Sequence, residues 1–371
     1  MTATTRSEGD YPHFVLAAGG ERVAASGARA TFTDPHEAAD AVRAGRVDAV
    51  VGALPFDLRD PAALTAPETF GTVAGLGAPA ALPTLTRTAE HPAPAEHVDR
   101  VRRAVARIET GGDLRKVVLA RAVDFAASAP VDPCSVAAAL ERRDPAGNAF
   151  ALLLDAAGEA HRGRALVGST PEILVRRDGD VVSCHPFAGT ASSPEGLMDS
   201  AKDREEHAYV VDEIAAALAP LCSELDVPGA PSVTRAGEVW HLGTAISGRL
   251  KAPSTTALDL ALALHPTPAV CGFPRAAAAA AIADLEGRSR GFYAGAIGWT
   301  NAAGDGHWRV AIRCAEVAAD RMSLRAFAGG GIVGASDPHA ELDETVNKLR
   351  TVLGPFAIAQ PAGQAVAGRA R

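Results

Sequence analysis

Residues 329–334 read Gly329-Gly330-Gly331-Ile332-Val333-Gly334, directly after the run Met322-Ser323-Leu324-Arg325-Ala326-Phe327-Ala328. A strand that enters GxGxxG is the nominal fingerprint of a dinucleotide-binding fold, in which the glycines bring a pyrophosphate to a helix N-terminus. The position of this run argues against that fold. It lies about 40 residues from the C-terminus, and one helical segment follows it with no second strand to carry a ribose-binding acid. A nicotinamide-dependent oxidoreductase using the Gly329 loop is the alternative. The preferred reading is a place where backbone N–H groups approach an anion without obstruction from Cβ atoms.

Outward from that run, apolar segments and turn residues alternate along the chain. Strands are expected at 14–17, 49–54, 116–125, 295–299, 307–314 and 322–327, and helices at 36–44, 98–109, 134–142, 200–222 and 275–285. Asp178-Gly179 between two apolar runs marks a tight hairpin turn. Residues 75–94, rich in Pro, Ala and Gly, read as a linker or long loop, and the small polar residues after Phe356 as a frayed tail. Hairpin strands with helices set between them predict an α+β, mixed α/β enzyme with a large antiparallel component.

The 371 residues are 47% hydrophobic and 22% charged, a composition that is neither disordered nor fibrous. Thirty-six Lys and Arg against 44 Asp and Glu leave a net charge of -8, which argues against nucleic acid and a membrane surface as partners. No apolar run approaches the roughly 18 residues of a spanning helix. Residues 1–14 lack the regions of a secretory signal, so a cytoplasmic protein is expected. Five scattered cysteines, none spaced as CxxC, suggest neither a disulfide framework nor a zinc site. The basic residues include only four lysines: Lys116, Lys202, Lys251 and Lys348. In a chain that otherwise uses Arg, a retained lysine offers a base that burial can tune, which guanidinium cannot. A solvated surface lysine is the plain alternative.

Two helices begin with acids at i, i+3. In Ser200-Ala201-Lys202-Asp203-Arg204-Glu205-Glu206-His207, Ser200 is placed as the N-cap, Asp203 closes a capping box, and the Asp203/Glu206 face continues through Val210 and Ile214. In the helix that follows Asp337-Pro338, Glu341, Glu344 and Lys348 share a face beside Leu342, Thr345, Leu349 and Val352. Carboxylates beside an apolar stripe need a compensating cation, and oxygen-only donors suit Mg²⁺. The alternative is that these acids complement helix dipoles and that Glu344 pairs with Lys348 across one turn. Lys116 and Glu172 each open an apolar strand, as edge snorkelling or as a tuned base and acid. Arg313 ends the strand Val310-Ala311-Ile312, where its fork could grip a carboxylate or form an ordinary ion pair.

In order along the chain, Lys116-Val117-Val118-Leu119, Gly168-Ser169-Thr170-Pro171-Glu172, Phe187-Ala188-Gly189-Thr190, Lys202 to His207, Trp240-His241-Leu242, His265-Pro266-Thr267-Pro268-Ala269, Arg313, Gly329 to Ile332 and Glu344 to Leu349 resemble the chorismate-utilising enzymes. That family includes isochorismate synthase, salicylate synthase and the synthase component of anthranilate formation. The resemblance covers roughly residues 97–355. It implies two large antiparallel sheets facing each other with helices outside. Residues 1–96 are expected as an N-terminal α/β segment of the same fold, 97–356 as the catalytic region and 357–371 as a flexible tail.

The resemblance further implies that Glu206 and Glu344 bind Mg²⁺, with Asp203 and Glu341 in support through water. Arg313, Tyr293 and the amides near Gly329 would hold the enolpyruvyl carboxylate, and Gly189 with Lys348 the ring carboxylate. Thr190, His241 and Ala269 complete the implied substrate-binding set. Members that add water resemble this sequence in placing Lys at the Lys116 position, where amine-adding members have Gln. Lys116 is then the base that activates water for attack at C2 of chorismate, and Glu172 the acid that protonates the departing C4 hydroxyl, giving isochorismate. Salicylate-forming relatives usually carry Thr where this chain has Ala269, which favours stopping at isochorismate, in a siderophore-type pathway. Tyr293 also occurs in salicylate producers, so salicylate synthase is the runner-up, and a silent chorismate-binding protein is a third possibility. A monomer is expected.

Overall fold

A computed structural model describes residues 12–191, 193–236 and 239–359. The elements that carry the site are strands Lys116–Ala127 (β1), Ile173–Asp178 (β2), Phe187–Ala191 (β3), Val239–Gly243 (β4) and Ser323–Ile332 (β5), with helices Ala201–Leu218 (α1), Arg275–Glu286 (α2) and Pro338–Leu353 (α3). Among the described residues they belong to an eleven-stranded sheet, a nine-stranded sheet and a three-stranded sheet. β1 and β5 run side by side in the largest, β2 lies in the second, and β3 and β4 form part of the smallest.

The core lies between the two large sheets. Phe14, Phe150 and Leu166 of the first sheet share one apolar cluster with Val50, Val175 and Trp308 of the second. Residues on strands alternate between faces, so the opposite faces of these strands need cover from helices. Pro133–Arg143 supplies it through Val136, Ala137 and Leu140, and α2 covers Val117 and Leu119 of β1 with Ala278, Ile282 and Leu285. The architecture is a mixed α/β fold with facing antiparallel sheets and helices outside. The N-terminal residues enter both sheets: Phe14–Ala18 pairs with Ala149–Leu153, and Ala49–Leu54 with Ala296–Asn301.

Local signals place most of these elements. Asp337 caps α3 by accepting from His339 N and Ala340 N, with Pro338 following it. Ser200 caps α1 by accepting from Asp203 N. Among the described residues only this half of the expected capping box forms. Gly179, at φ 61°, turns the hairpin in which Asp178 pairs with Val181. Of the five cysteines, all free, four are buried and Cys134 is half-buried.

Four expectations are corrected. The linker expected at 75–94 contains the strand Leu85–His91, whose threonines favour a pleated edge beside β1. The strand expected at 307–314 is two strands, Gly306–Val310 and Cys314–Val317, separated where Arg313 takes φ 51°. The helix expected at 200–222 ends at Leu218, and Cys222 opens a strand. The glycine run is not a loop, because Gly329–Ile332 pair with Ala120–Val117 in the ladder between β5 and β1. No strand-to-helix turn is left there for a pyrophosphate. After Phe356, Ile358–Ala359 add a short parallel pairing to Leu85–Thr86, and the rest of the expected tail lies outside the described residues.

Candidate active site

Glu172, immediately before β2 in the second sheet, lines a cleft together with Glu206, and Lys116, which opens β1 in the first sheet, lies behind that wall with its Nζ against Glu206. Glu172 lies 5% exposed on the cleft wall with Phe187, Gly189, Glu206, His241, Ala269, Tyr293, Arg313, Gly329 and Lys348. Burial pushes its carboxyl up to about 7, against the opposing pull of Lys116, Lys348, the Phe187 backbone and Arg313. A carboxyl that holds its proton near neutrality suits a general acid.

Lys116 is fully buried and its Nζ lies 3.0 Å from Glu206 Oε1. Two similar pairs stand nearby: Lys348 with Glu344 at 2.5 Å and Lys202 with Glu341 at 2.9 Å. Three of the chain's four lysines thus each meet one of the acids singled out as metal ligands. β5 passes among these groups. A Cβ on Gly331 would collide with Glu206 Oε1, and one on Gly330 would stand 2.9 Å from Glu341 Oε2. The glycines are there so that acids from α1 and α3 can crowd one strand. Asp203 packs against β3, where a Cβ on Gly189 would lie 2.8 Å from its Cβ.

The other end of the cleft is built to hold an anion. Arg313, 5% exposed, donates to Thr351 Oγ1 at 3.1 Å and points Nη2 toward His241 Nε2 at 3.5 Å. His241 Nδ1 lies 3.1 Å from Gly189 O; donation there leaves Nε2 as the acceptor facing Arg313. Burial, then Arg313 and Lys348, push His241 down to about 3, which keeps the ring neutral. Tyr293 stacks on Phe327 at 5.0 Å, and only a glycine at 329 leaves room for its hydroxyl. Lys348 Nζ donates to Gly329 O at 2.9 Å. Thr190 pairs with His241 across β3 and β4.

Several supporting residues escaped the sequence reading. Glu286 accepts from Ala120 N at 2.9 Å, while Arg290 donates to Val118 O and Val270 O at 2.7 and 2.8 Å. This buried pair braces β1 directly behind the cleft, and nothing but an ordinary i, i+4 spacing announces it. Ser336 donates to Glu341 Oε1 at 2.8 Å, and Arg309 to Thr170 O at 2.7 Å. Lys202 had a signal, as one of the few retained lysines.

The acids fit a divalent cation in donor chemistry. Their oxygens are hard donors, and Glu341 Oε2 is buried without a hydrogen-bond partner. Burial, then Glu344, raise the Glu341 carboxyl above the usual range, as expected where negative charge lacks full compensation. Among the described residues no three such side chains already form a ligand set, and three of the four acids, Glu206, Glu341 and Glu344, are each paired with a lysine. The free space in the cleft is about 60 Å³, well below the roughly 300 Å³ at which small-molecule pockets begin. A ligand of ring size would fit only if side chains along the cleft moved apart. Among the described residues no helix is long and apolar enough to cross a membrane.

The family model described as "Chorismate binding enzyme" matches residues 76–356. A Mycobacterium tuberculosis protein provisionally named isochorismate synthase MenF is 45% identical over 97% of this chain and 100% of its own length. Isochorismate synthase DhbC of Bacillus subtilis is 42% identical over 72% of this chain and 69% of its own. The crystal structure of a Bacillus anthracis DhbC, provisionally named a 2,3-dihydroxybenzoate-specific isochorismate synthase, superposes with a TM-score of 0.84 at 36% identity, covering 93% of this chain and 97% of that one. The menaquinone-specific isochorismate synthase MenF of Escherichia coli gives 0.79 at 28% identity, covering 94% and 90%. With this cleft, this fold and these matches, the chain belongs to the chorismate-binding enzyme family.

Proposed function

We propose that the chain is a Mg²⁺-dependent isochorismate synthase. One observation carries the mechanism: a carboxyl raised to about 7, Glu172, lines the cleft whose Glu206 pairs with the buried amine of Lys116, near enough for that amine's charge to act on Glu172. The relatives named as isochorismate synthases support the reaction, and Lys116 supports water rather than an amine as the nucleophile.

Arg313, with Tyr293 beside it, holds the enolpyruvyl carboxylate, because a buried guanidinium with spare donors binds a carboxylate strongly. Gly189 and Lys348 hold the ring carboxylate. Lys116 Nζ takes a proton from the water that attacks C2, the ring double bonds shift, and Glu172 gives its proton to the C4 oxygen, which leaves as water. One water enters and one leaves, so the product is an isomer. Glu206 and Glu344 would hold the Mg²⁺, with Asp203 and Glu341 in support through water. When bound, the ion orients the ring carboxylate and offsets its charge. Glu206 is also the ion-pair partner of Lys116 Nζ, so a metal held there would compete with Lys116 for the same carboxylate.

Ala269 on the cleft wall supports release of isochorismate, and the run His265 to Ala269 supports a siderophore route for it. Tyr293 favours the second reading, salicylate synthase. Incubation with chorismate and Mg²⁺ followed by chromatography separates the two: isochorismate alone is expected, and salicylate with pyruvate would establish the second.

A further inference from the structure

Helix α3 has two working faces. One carries Glu341, Glu344 and Lys348 to the cleft. The other presents Leu342, Val346 and Leu353 to a cavity of about 610 Å³ on the far side, closed by Val123 and Phe125 of β1 and by Phe356. That volume lies within the range of small-molecule sites. Its apolar wall extends to solvent at Val346 and Ile358, which are 43% and 48% exposed.

Three guanidiniums, Arg87, Arg121 and Arg350, line this cavity against two carboxylates, Glu90 and Asp343, which leaves one net positive charge, and two of the guanidiniums have donors to spare. The Arg350 guanidinium, in the last turn of α3, makes no hydrogen bond or ion pair among the described residues. Arg121 is 3% exposed; its Nη2 pairs with Glu90 and its Nη1 donates to Thr345 Oγ1 at 3.3 Å, but its Nε is buried without a partner. Glu90 is already committed to both Arg121 and Arg87. An apolar chamber with unspent cationic donors fits an apolar body bearing one negative charge. The C-terminal residues 360–371 do not match this chemistry. Val366 is their only apolar side chain larger than alanine or proline, and Arg369 and Arg371 would bring like charge to Arg350.

We propose that this cavity is a regulatory site for a monoanionic carboxylate on an aliphatic body. The route to the active site is short. Arg121 bonds Thr345, the residue after Glu344, and the cavity wall is the reverse of the two elements that carry Lys116, Glu341, Glu344 and Lys348. Occupancy biases how α3 sits against β5, and so how readily Glu344 and Lys348 part.

Decanoate titrated calorimetrically into the full chain tests the site. Saturable one-site binding is expected, weakened about tenfold or more by Arg350→Ala and by Val346→Trp, which fills the mouth, and unchanged by Arg313→Ala. Both Arg350 and Val346 are exposed, so neither variant threatens folding. Unsaturable heats, equal affinity in all variants, or loss in Arg313→Ala alone, which would put decanoate in the catalytic cleft, overturn the proposal. So does a concentration-dependent doubling of mass without decanoate binding, which would assign the face to a second copy of the chain. The coupling rests on the isochorismate reading. Saturating decanoate is expected to change chorismate turnover in the parent and not in Val346→Trp, and an unchanged parent rate overturns regulation. Should the chain not turn over chorismate at all, the binding measurements still decide the site.

Discussion

Lys116 Nζ and Glu206 Oε1 lie 3.0 Å apart where Gly331 passes them, and a side chain at 331 would strike both residues. The amine is fully buried, so the carboxylate paired with it governs what it can do. Lys116→Ala and Glu172→Gln are each expected to reduce turnover by about 10²–10⁴-fold, the usual contribution of one acid or base. Chorismate affinity, measured by calorimetry, should change little, because Arg313 and Tyr293 hold the substrate. Near-parental turnover in either variant removes that residue from the mechanism.

Glycine 331 offers a test of geometry alone. In Gly331→Ala the new methyl displaces the Glu206 carboxylate and presses on Lys116 Cε, which are flexible ends rather than backbone. The chain is expected to fold with a nearly parental melting curve while turnover falls about a hundredfold or more, the cost of misplacing reacting groups. A fully active Gly331→Ala would show that Glu206 need not hold its place.

The Glu172 carboxyl, raised to about 7 by burial, gives two pH signatures. Turnover requires its protonated form, so kcat/KM should fall as pH rises through about 7. Stability follows the same sign. A carboxyl whose folded value lies above its unfolded value contributes fully below the ordinary carboxylate range, and that contribution is lost as pH rises to about 7. Glu172→Gln lacks this loss. Its unfolding free energy should exceed the parent's near pH ~8, by on the order of 3 kcal/mol, with the gap closing near pH ~4; a gap independent of pH would mean that Glu172 titrates normally.

Arg313 tests substrate holding. Its fork meets Thr351 Oγ1 and faces a neutral His241. Arg313→Lys keeps the charge but loses the fork, so KM for chorismate should rise about tenfold or more with kcat changed little. A fall in kcat at constant KM would move Arg313 from binding to the chemical step.

Much of this was legible in the residues themselves. Lys116, Glu172, Arg313 and the acids of α1 and α3 could be singled out because charge at the start of an apolar strand, or on an apolar helix face, demands an explanation. The hairpin at Gly179 and the cap at Asp337 follow from turn and cap chemistry. The glycine run was misread as a loop because consecutive glycines leave the same trace in a loop and in a strand crowded by carboxylates. The strand Leu85–His91 was hidden by the prolines around it. The Glu344–Lys348 pair, one helical turn apart, follows from local spacing, but Lys116–Glu206, Lys202–Glu341 and the reach of Glu286 and Arg290 to β1 join residues far apart in sequence, and no local pattern encodes such contacts.

The central claim is that Lys116 directs water to C2 while Glu172 releases the C4 oxygen. Turnover of chorismate with Mg²⁺ in heavy-oxygen water, followed by mass spectrometry of the isolated product, tests it most directly. The expected product is isochorismate with solvent oxygen at C2 and none elsewhere. Isochorismate without the label, or no isochorismate at all, would contradict it.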